Sequence, residues 1–181
     1  YFRHPDRVAS LTLSSPALSV ADWLADGRTL IATLPDSVQR VITRHETAGT
    51  FESEEYQAAV MVFYQRYLSR AEPWSPHLDS AFAGLNPAIY GYMWGPSEFT
   101  ATGTLRNFDV TDSLPLIRVP TLVLTGEFDE ATPATVQRHA ALIPGAVFAV
   151  IPGAGHITPT DGTEEHVRLV REFLRGVEQR E

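Results

Sequence analysis

None of the 181 residues is cysteine, which removes disulfides, a thiol nucleophile and any cysteine-based metal site from consideration. That usage suits a cytoplasmic protein. Basic residues are scarce as well: 14 Lys and Arg stand against 22 Asp and Glu, a formal charge of −8, which repels phosphate backbones and anionic membrane surfaces. Nucleic acid and membranes are therefore not expected partners. No apolar run approaches the roughly 20 residues that cross a bilayer, and the opening "YFRHPDRV" lacks the order of a signal peptide. No pair of histidines has metal-ligand spacing, so no metal is expected.

What is present is a chain that is 44% apolar, ample for a buried core. It opens without Met, and "YFRHPDRVASLTLSSP" reads as the last turn of a helix over Tyr1 to His4, a turn at His4-Pro5-Asp6, and a strand from about Val8 to Leu13. Chains seldom begin inside an apolar helix. The sequence is therefore expected to be the C-terminal part of a longer protein.

From about Ala21 to Tyr92 apolar residues recur at helical spacing, as at Tyr56, Val60, Phe63 and Tyr67. Breaks at Pro35-Asp36, Ala48-Gly49-Thr50, Pro73 to Pro76 and Asn86-Pro87 divide this block into four or five short helices. From about Val119 the pattern alternates. "VPTLVLTG" is a continuous β-rich run, the mark of a strand covered on both faces in a parallel sheet. Thr132 and Pro133 then start a helix as cap and first residue, Ile143-Pro144-Gly145 ends it, and "AVFAVIPG" is the next strand. A last helix carries Val167, Val170, Phe173, Leu174 and Val177 on one face, with Asp161 and Glu164 placed for a capping box. This order predicts an open, mostly parallel sheet with helices on both faces and the helical block inserted between two strands.

In such sheets functional groups gather at the carboxyl ends of the strands. Asp129 follows one strand end, and His156 follows the next in a Gly-Ala-Gly-His loop. An Asp that accepts from Nδ1 of a His fixes the tautomer and leaves Nε2 to take a proton. Taken singly, Asp129 reads as a turn residue and His156 as a structural ring; together, with the acid first and the histidine second on neighbouring strand ends, they favour catalysis. His4, His45, His77, His139 and His166 have no comparable setting and read as surface or structural.

"WGPSEFTATGTLRNFDVTDSLPLIRVPTLVLTGEFDEATP", Trp94 to Pro133, closely resembles the proline iminopeptidases, serine peptidases of the α/β-hydrolase superfamily. The opening "HPDRVASLTLSSPALSVADW" and the helical block look like the strand after the nucleophile and the cap of the same family. The resemblance implies an α/β-hydrolase fold with an inserted helical cap. It divides the chain into core at residues 1–18, cap at 19–100 and the C-terminal part of the core at 101–181. It implies that Asp129 is the catalytic acid and His156 the base, and that Glu98 and Glu130 hold the free α-amino group of a peptide substrate. Trp94 and Phe99 could wall an apolar slot for the proline ring or pack the cap onto the core. No cofactor is implied.

The family also needs a G-x-S-x-G elbow and an oxyanion hole from an earlier loop, and no such elbow occurs in these residues. Ser14 and Ser15 lack flanking glycines and read as the end of a core strand. The fragment alone is therefore expected to be inactive, with the N-terminal half of the same protein as its partner. A second departure is "GHITPTDG", more polar than the Met- or Leu-containing run expected after this histidine, which bears on pocket shape. The implied function is release of N-terminal proline. The alternatives are hydrolysis of another amide or ester, such as an amino-acid amide or a lactone, and a non-catalytic split or decayed hydrolase fragment that binds a partner.

Overall fold

The computed structural model describes residues 1–179, and within them three strands form one sheet. β1 (Leu11–Ser14), β2 (Thr121–Gly126) and β3 (Val147–Ile151) lie in that order and are parallel throughout. The register runs from Leu11 opposite Thr121 to Ser14 opposite Leu124, and from Leu122 opposite Val147 to Gly126 opposite Ile151. Every residue of β2 is buried, so both faces of the sheet are covered along this central strand, as its unbroken apolar run requires.

The N-terminus differs from the sequence expectation. Tyr1 to His4 form a turn closed by the His4 amide on the Tyr1 carbonyl, 2.9 Å, and Pro5–Arg7 form a single 3-10 turn. A residue before proline is driven out of the helical region, and His4 sits at φ −145°, ψ 61°. The strand begins at Leu11 rather than Val8. Its first partner is the carbonyl of Pro120, 2.9 Å from the Leu11 amide, and Pro120 has no N–H with which to carry the ladder further back.

Five helices make up the inserted block: α1 (Val20–Ile31), α2 (Asp36–Ala48), α3 (Glu54–Tyr67), α4 (Pro76–Ala83) and α5 (Pro87–Met93). Local chemistry sets their starts, since Ser19, Ser53, Ser75 and Asn86 each cap a helix by accepting from its first free amides. Gly49 ends α2 in the left-handed conformation, φ 67°. The helical period of α3 puts Tyr56, Val60, Phe63 and Tyr67 on its buried side, where they meet Leu34 and Ile42 in the core of the block.

α6 (Pro133–Ala140) packs on β2 and β3 and contributes Val136 and Ala140 to a second core with Leu114, Ile117 and Val123. It begins as expected, with Thr132 as cap, but the regular helix stops at Ala140 and turns carry the chain to Gly145, φ 72°. α1 is pinned to this helix. Asp22 meets Arg138 and His139 at 3.0 and 2.8 Å, and Asp26 accepts from the Thr132 amide and from both the Thr132 and Thr135 hydroxyls.

The chain ends in the short α7 (Thr158–Asp161) and the long α8 (Thr163–Glu178). The expected capping box is absent: the N-cap position before α8 is Gly162, which has no side chain to cap it, and Asp161 bonds elsewhere. Among the described residues no helix is long and apolar enough to cross a membrane.

Candidate active site

Asp129 sits in the tight turn that leaves β2, with its amide bonded to the Gly126 carbonyl at 3.3 Å. Its carboxylate is 1% exposed, and a buried carboxylate persists only when its oxygens are satisfied. Here they are. Oδ2 accepts from the Ser15 hydroxyl at 2.6 Å, the Thr125 hydroxyl at 3.0 Å and the Gly126 amide at 3.1 Å. Oδ1 accepts from the Ala131 amide at 2.8 Å and lies 2.9 Å from Nδ1 of His156.

His156 reaches this position because two backbones can touch. A Cβ on Gly126 would lie 2.2 Å from the Gly155 carbonyl oxygen, and one on Gly155 would lie 2.8 Å from the carbonyls of Tyr67 and Leu68. Side chains at either position would push the histidine loop off the strand end. With Nδ1 engaged by Asp129, Nε2 is the nitrogen left to exchange a proton. Trp23 of α1 meets the imidazole edge to face, ring centres 5.4 Å apart.

A pair of glutamates completes the cluster. Glu130 is 4% exposed; Oε1 is 3.9 Å from His156 Nδ1, and the buried Oε2 has no hydrogen-bond partner among the described residues. Burial pushes its carboxyl well above the ordinary range, and the charges of Glu98 and Asp129 push in the same direction. Glu98 receives the Trp23 indole N–H at 3.0 Å, the Tyr90 hydroxyl at 3.2 Å and the Tyr64 hydroxyl at 3.5 Å. Burial raises its carboxyl too, against the opposing effect of those donors. Burial, reinforced by Glu98, also raises the Tyr64 and Tyr90 hydroxyls, so both remain donors.

Glu98, Glu130 and His156 line one cavity of about 860 Å³, together with Trp23, Tyr64 and Tyr90. Two acidic side chains in a partly dry wall, one with an oxygen that has no partner among the described residues, have chemistry suited to a cation. Beside them stands an imidazole poised for proton transfer.

Trp94 and Phe99 do not line this cavity, but Phe99 lines a smaller pocket that shares Trp23, Glu98 and Glu130 with it. Trp94 donates to the Glu98 carbonyl at 3.3 Å and packs edge to face on Trp23, and Phe99 packs in the same way on Phe63 at 4.9 Å. Both brace the segment that carries Glu98. Of the other histidines, His139 is buried against Asp22, and His45 is bound by Thr50 and Ser53 at the end of α2.

The sequence pattern reads Ser15 only as the end of a core strand and does not single out Trp23, Tyr64 or Tyr90. For Ser15 a signal existed, because it follows a strand carboxyl end just as Asp129 and His156 do. For the three aromatic residues none did, since their spacing is that of any helix packing face.

Residues 4–172 match the model of the alpha/beta hydrolase family. The chain belongs to that family. Among curated relatives of this chain, the proline iminopeptidase of Heyndrickxia coagulans is 39% identical over 174 residues, covering 96% of this chain and 60% of that protein. The proline iminopeptidase of Thermoplasma volcanium is 32% identical over 173 residues, with 95% and 59% covered. The crystal structure of the proline iminopeptidase of Mycobacterium smegmatis superposes with a TM-score of 0.89 at 35% identity, covering 98% of this chain and 60% of that one. The chain thus spans about 60% of the length of the relatives it matches.

Proposed function

We propose that this chain is the cap and C-terminal half of a serine aminopeptidase that releases N-terminal proline from peptides. The observation that carries the reading is the buried Oε2 of Glu130, without a partner among the described residues, beside Glu98 in the cavity that His156 lines. A peptide's free α-amino group is a cation that would satisfy that oxygen, and an exopeptidase must recognise this group. The names of the relatives supply the preference for proline.

The nucleophile is a serine outside these 181 residues. Nε2 of His156 accepts its proton as the serine oxygen bonds to the scissile carbonyl carbon, and Asp129 holds the ring and stabilises the imidazolium. The same nitrogen then gives the proton to the leaving amine as the carbon–nitrogen bond breaks. Water, activated in turn by His156, hydrolyses the prolyl ester and frees the serine. Glu98 and Glu130 fix the amino end, which places the first peptide bond and no other at the serine.

The test is a panel of proline, alanine and leucine aminoacyl reporters, with N-acetylated counterparts, on the full-length protein. Cleavage of the free proline reporter with rejection of its N-acetylated form is expected, as is a large rise in KM for Glu98→Ala and Glu130→Ala. Equal turnover of the N-acetylated reporter would end the proposal and favour a hydrolase of another amide or ester.

A further inference from the structure

We infer that Asp161 is a positioning residue that locks the loop of His156 to the end of the cap helix α3, so that the amine-binding cap and the proton-transfer group move as one. The inference rests on the proposed function for its kinetic readout, though its geometry stands apart from it.

The carboxylate of Asp161 joins two stretches of backbone. Oδ1 accepts from the Ser69 hydroxyl at 2.7 Å and the Ala71 amide at 3.3 Å. Oδ2 accepts from the Arg70 amide at 2.8 Å and from the amide of Gly155, the residue before His156, also at 2.8 Å. Two main-chain bonds run alongside, from the His156 amide to the Tyr67 carbonyl and from the Ile157 amide to the Leu68 carbonyl, both 2.8 Å. The 69–71 segment also touches the acid's loop, because the Arg70 guanidinium lies 3.8 Å over the ring of Phe128, next to Asp129. At the helix end that feeds this segment, Tyr64 donates to Glu98. One helix end therefore contacts the amine receptor, the acid's loop and the base's loop.

Local sequence gives Asp161 a different task, the capping of α8, and the side chain does not perform it. A carboxylate that accepts from charge-complementary backbone donors makes stronger bonds than a neutral acceptor. Asp161 is the acidic group that bridges the 69–71 segment and Gly155, and its charge can be removed with little change in shape.

The experiment compares wild type with Asp161→Asn, Asp161→Glu and Ser69→Ala in the full-length protein. Asp161→Asn is expected to lower kcat on the proline reporter by about tenfold or more, because a small misplacement of a reacting group is enough for that loss, with KM little changed. Asp161→Glu should recover part of the loss, and Ser69→Ala, which removes one cap donor, should lose less in the same direction. Proton NMR of the imidazole supplies a readout without substrate: the low-field Nδ1 resonance shared with Asp129 should shift or broaden in Asp161→Asn while the melting temperature stays close to that of wild type.

An unchanged kcat and an unchanged imidazole resonance would overturn the inference. So would a loss shared equally by kcat and 1/KM that follows global unfolding, with Ser69→Ala silent. If wild type cleaves no aminoacyl reporter yet the imidazole resonance responds to Asp161→Asn, the proposed substrate fails and the positioning role of Asp161 stands.

Discussion

Ser15 donates its hydroxyl proton to Asp129 across 2.6 Å, linking residues 114 apart in the chain. The same oxygen lies 2.9 Å from the His156 carbonyl, so one side chain at the end of β1 touches both members of the acid–base pair. Its backbone is held at φ 48°, a left-handed conformation that side chains other than glycine seldom adopt. Strain of this kind persists where the surroundings over-determine it, and here the surroundings are the loops that carry Asp129 and His156.

Ser15→Ala is expected to lower kcat by about tenfold, since loss of this bond leaves the acid less firmly held against the histidine. Ser15→Gly separates the two contributions: it relieves the backbone while removing the hydroxyl. Steady-state kinetics of both variants decide. Full activity in the glycine variant would show that the hydroxyl has no positioning role.

Glu130 should leave a signature in stability. Burial and the neighbouring Glu98 hold its carboxyl above the ordinary 4.5, so the folded state binds this proton more tightly than the unfolded chain does. The stabilisation from protonation is complete below about pH 4.5 and is lost as pH rises through the folded value. Glu130→Gln, which is neutral at every pH, is therefore expected to melt above wild type at neutral pH, with the difference shrinking towards the ordinary Glu value. Thermal melts of both proteins across this range check it. A difference that is constant or opposite in sign would show that ionised Glu130 carries no penalty in the fold.

Gly126 is held by contact with backbone. A methyl group there would meet the Gly155 and Ala154 carbonyl oxygens at 2.2 and 2.4 Å, and neither can yield without moving the histidine loop. Gly126→Ala should destabilise by about 3 kcal/mol or more, at the upper end of overpacking losses. Gly176→Ala is the contrast, with nothing within 4 Å of its would-be Cβ in α8, and should stabilise by up to about 1 kcal/mol. Denaturant unfolding measures both, and equal responses would refute the close-approach account.

Much of the architecture was legible because it depends on near neighbours. The breaks between the cap helices follow from capping residues, prolines and a glycine within a few positions. The unbroken apolar run of β2 announced a strand buried on both faces. Asp129 and His156 were legible for a similar reason, since each stands just beyond a strand end and parallel sheets collect chemistry there.

The misreadings share a cause as well. Asp161 was placed by local rules in a capping box, but charge-assisted contacts to the cap, residues 90 to 92 positions away, claimed its carboxylate. The strand expected from Val8 waited for Leu11 because its partner begins after a proline far along the chain. Trp23 and Glu98, 75 residues apart, meet only once the cap folds back over the sheet.

The order of strands and helices, an acid and a histidine at neighbouring strand ends, and Glu98 and Glu130 in family-like segments are all present in the linear chain. Periodicity, capping and turn chemistry act over a few residues and can be read in one dimension. Folding in three dimensions settles which oxygens are satisfied, that Ser15 bonds to Asp129, that Trp94 packs on Trp23 and Phe99 on Phe63 while Trp23 lines the cavity, and that Asp161 bonds to the 69–71 segment. Those outcomes depend on desolvation and on donors brought together from distant parts of the chain, and neither quantity exists until the chain is folded.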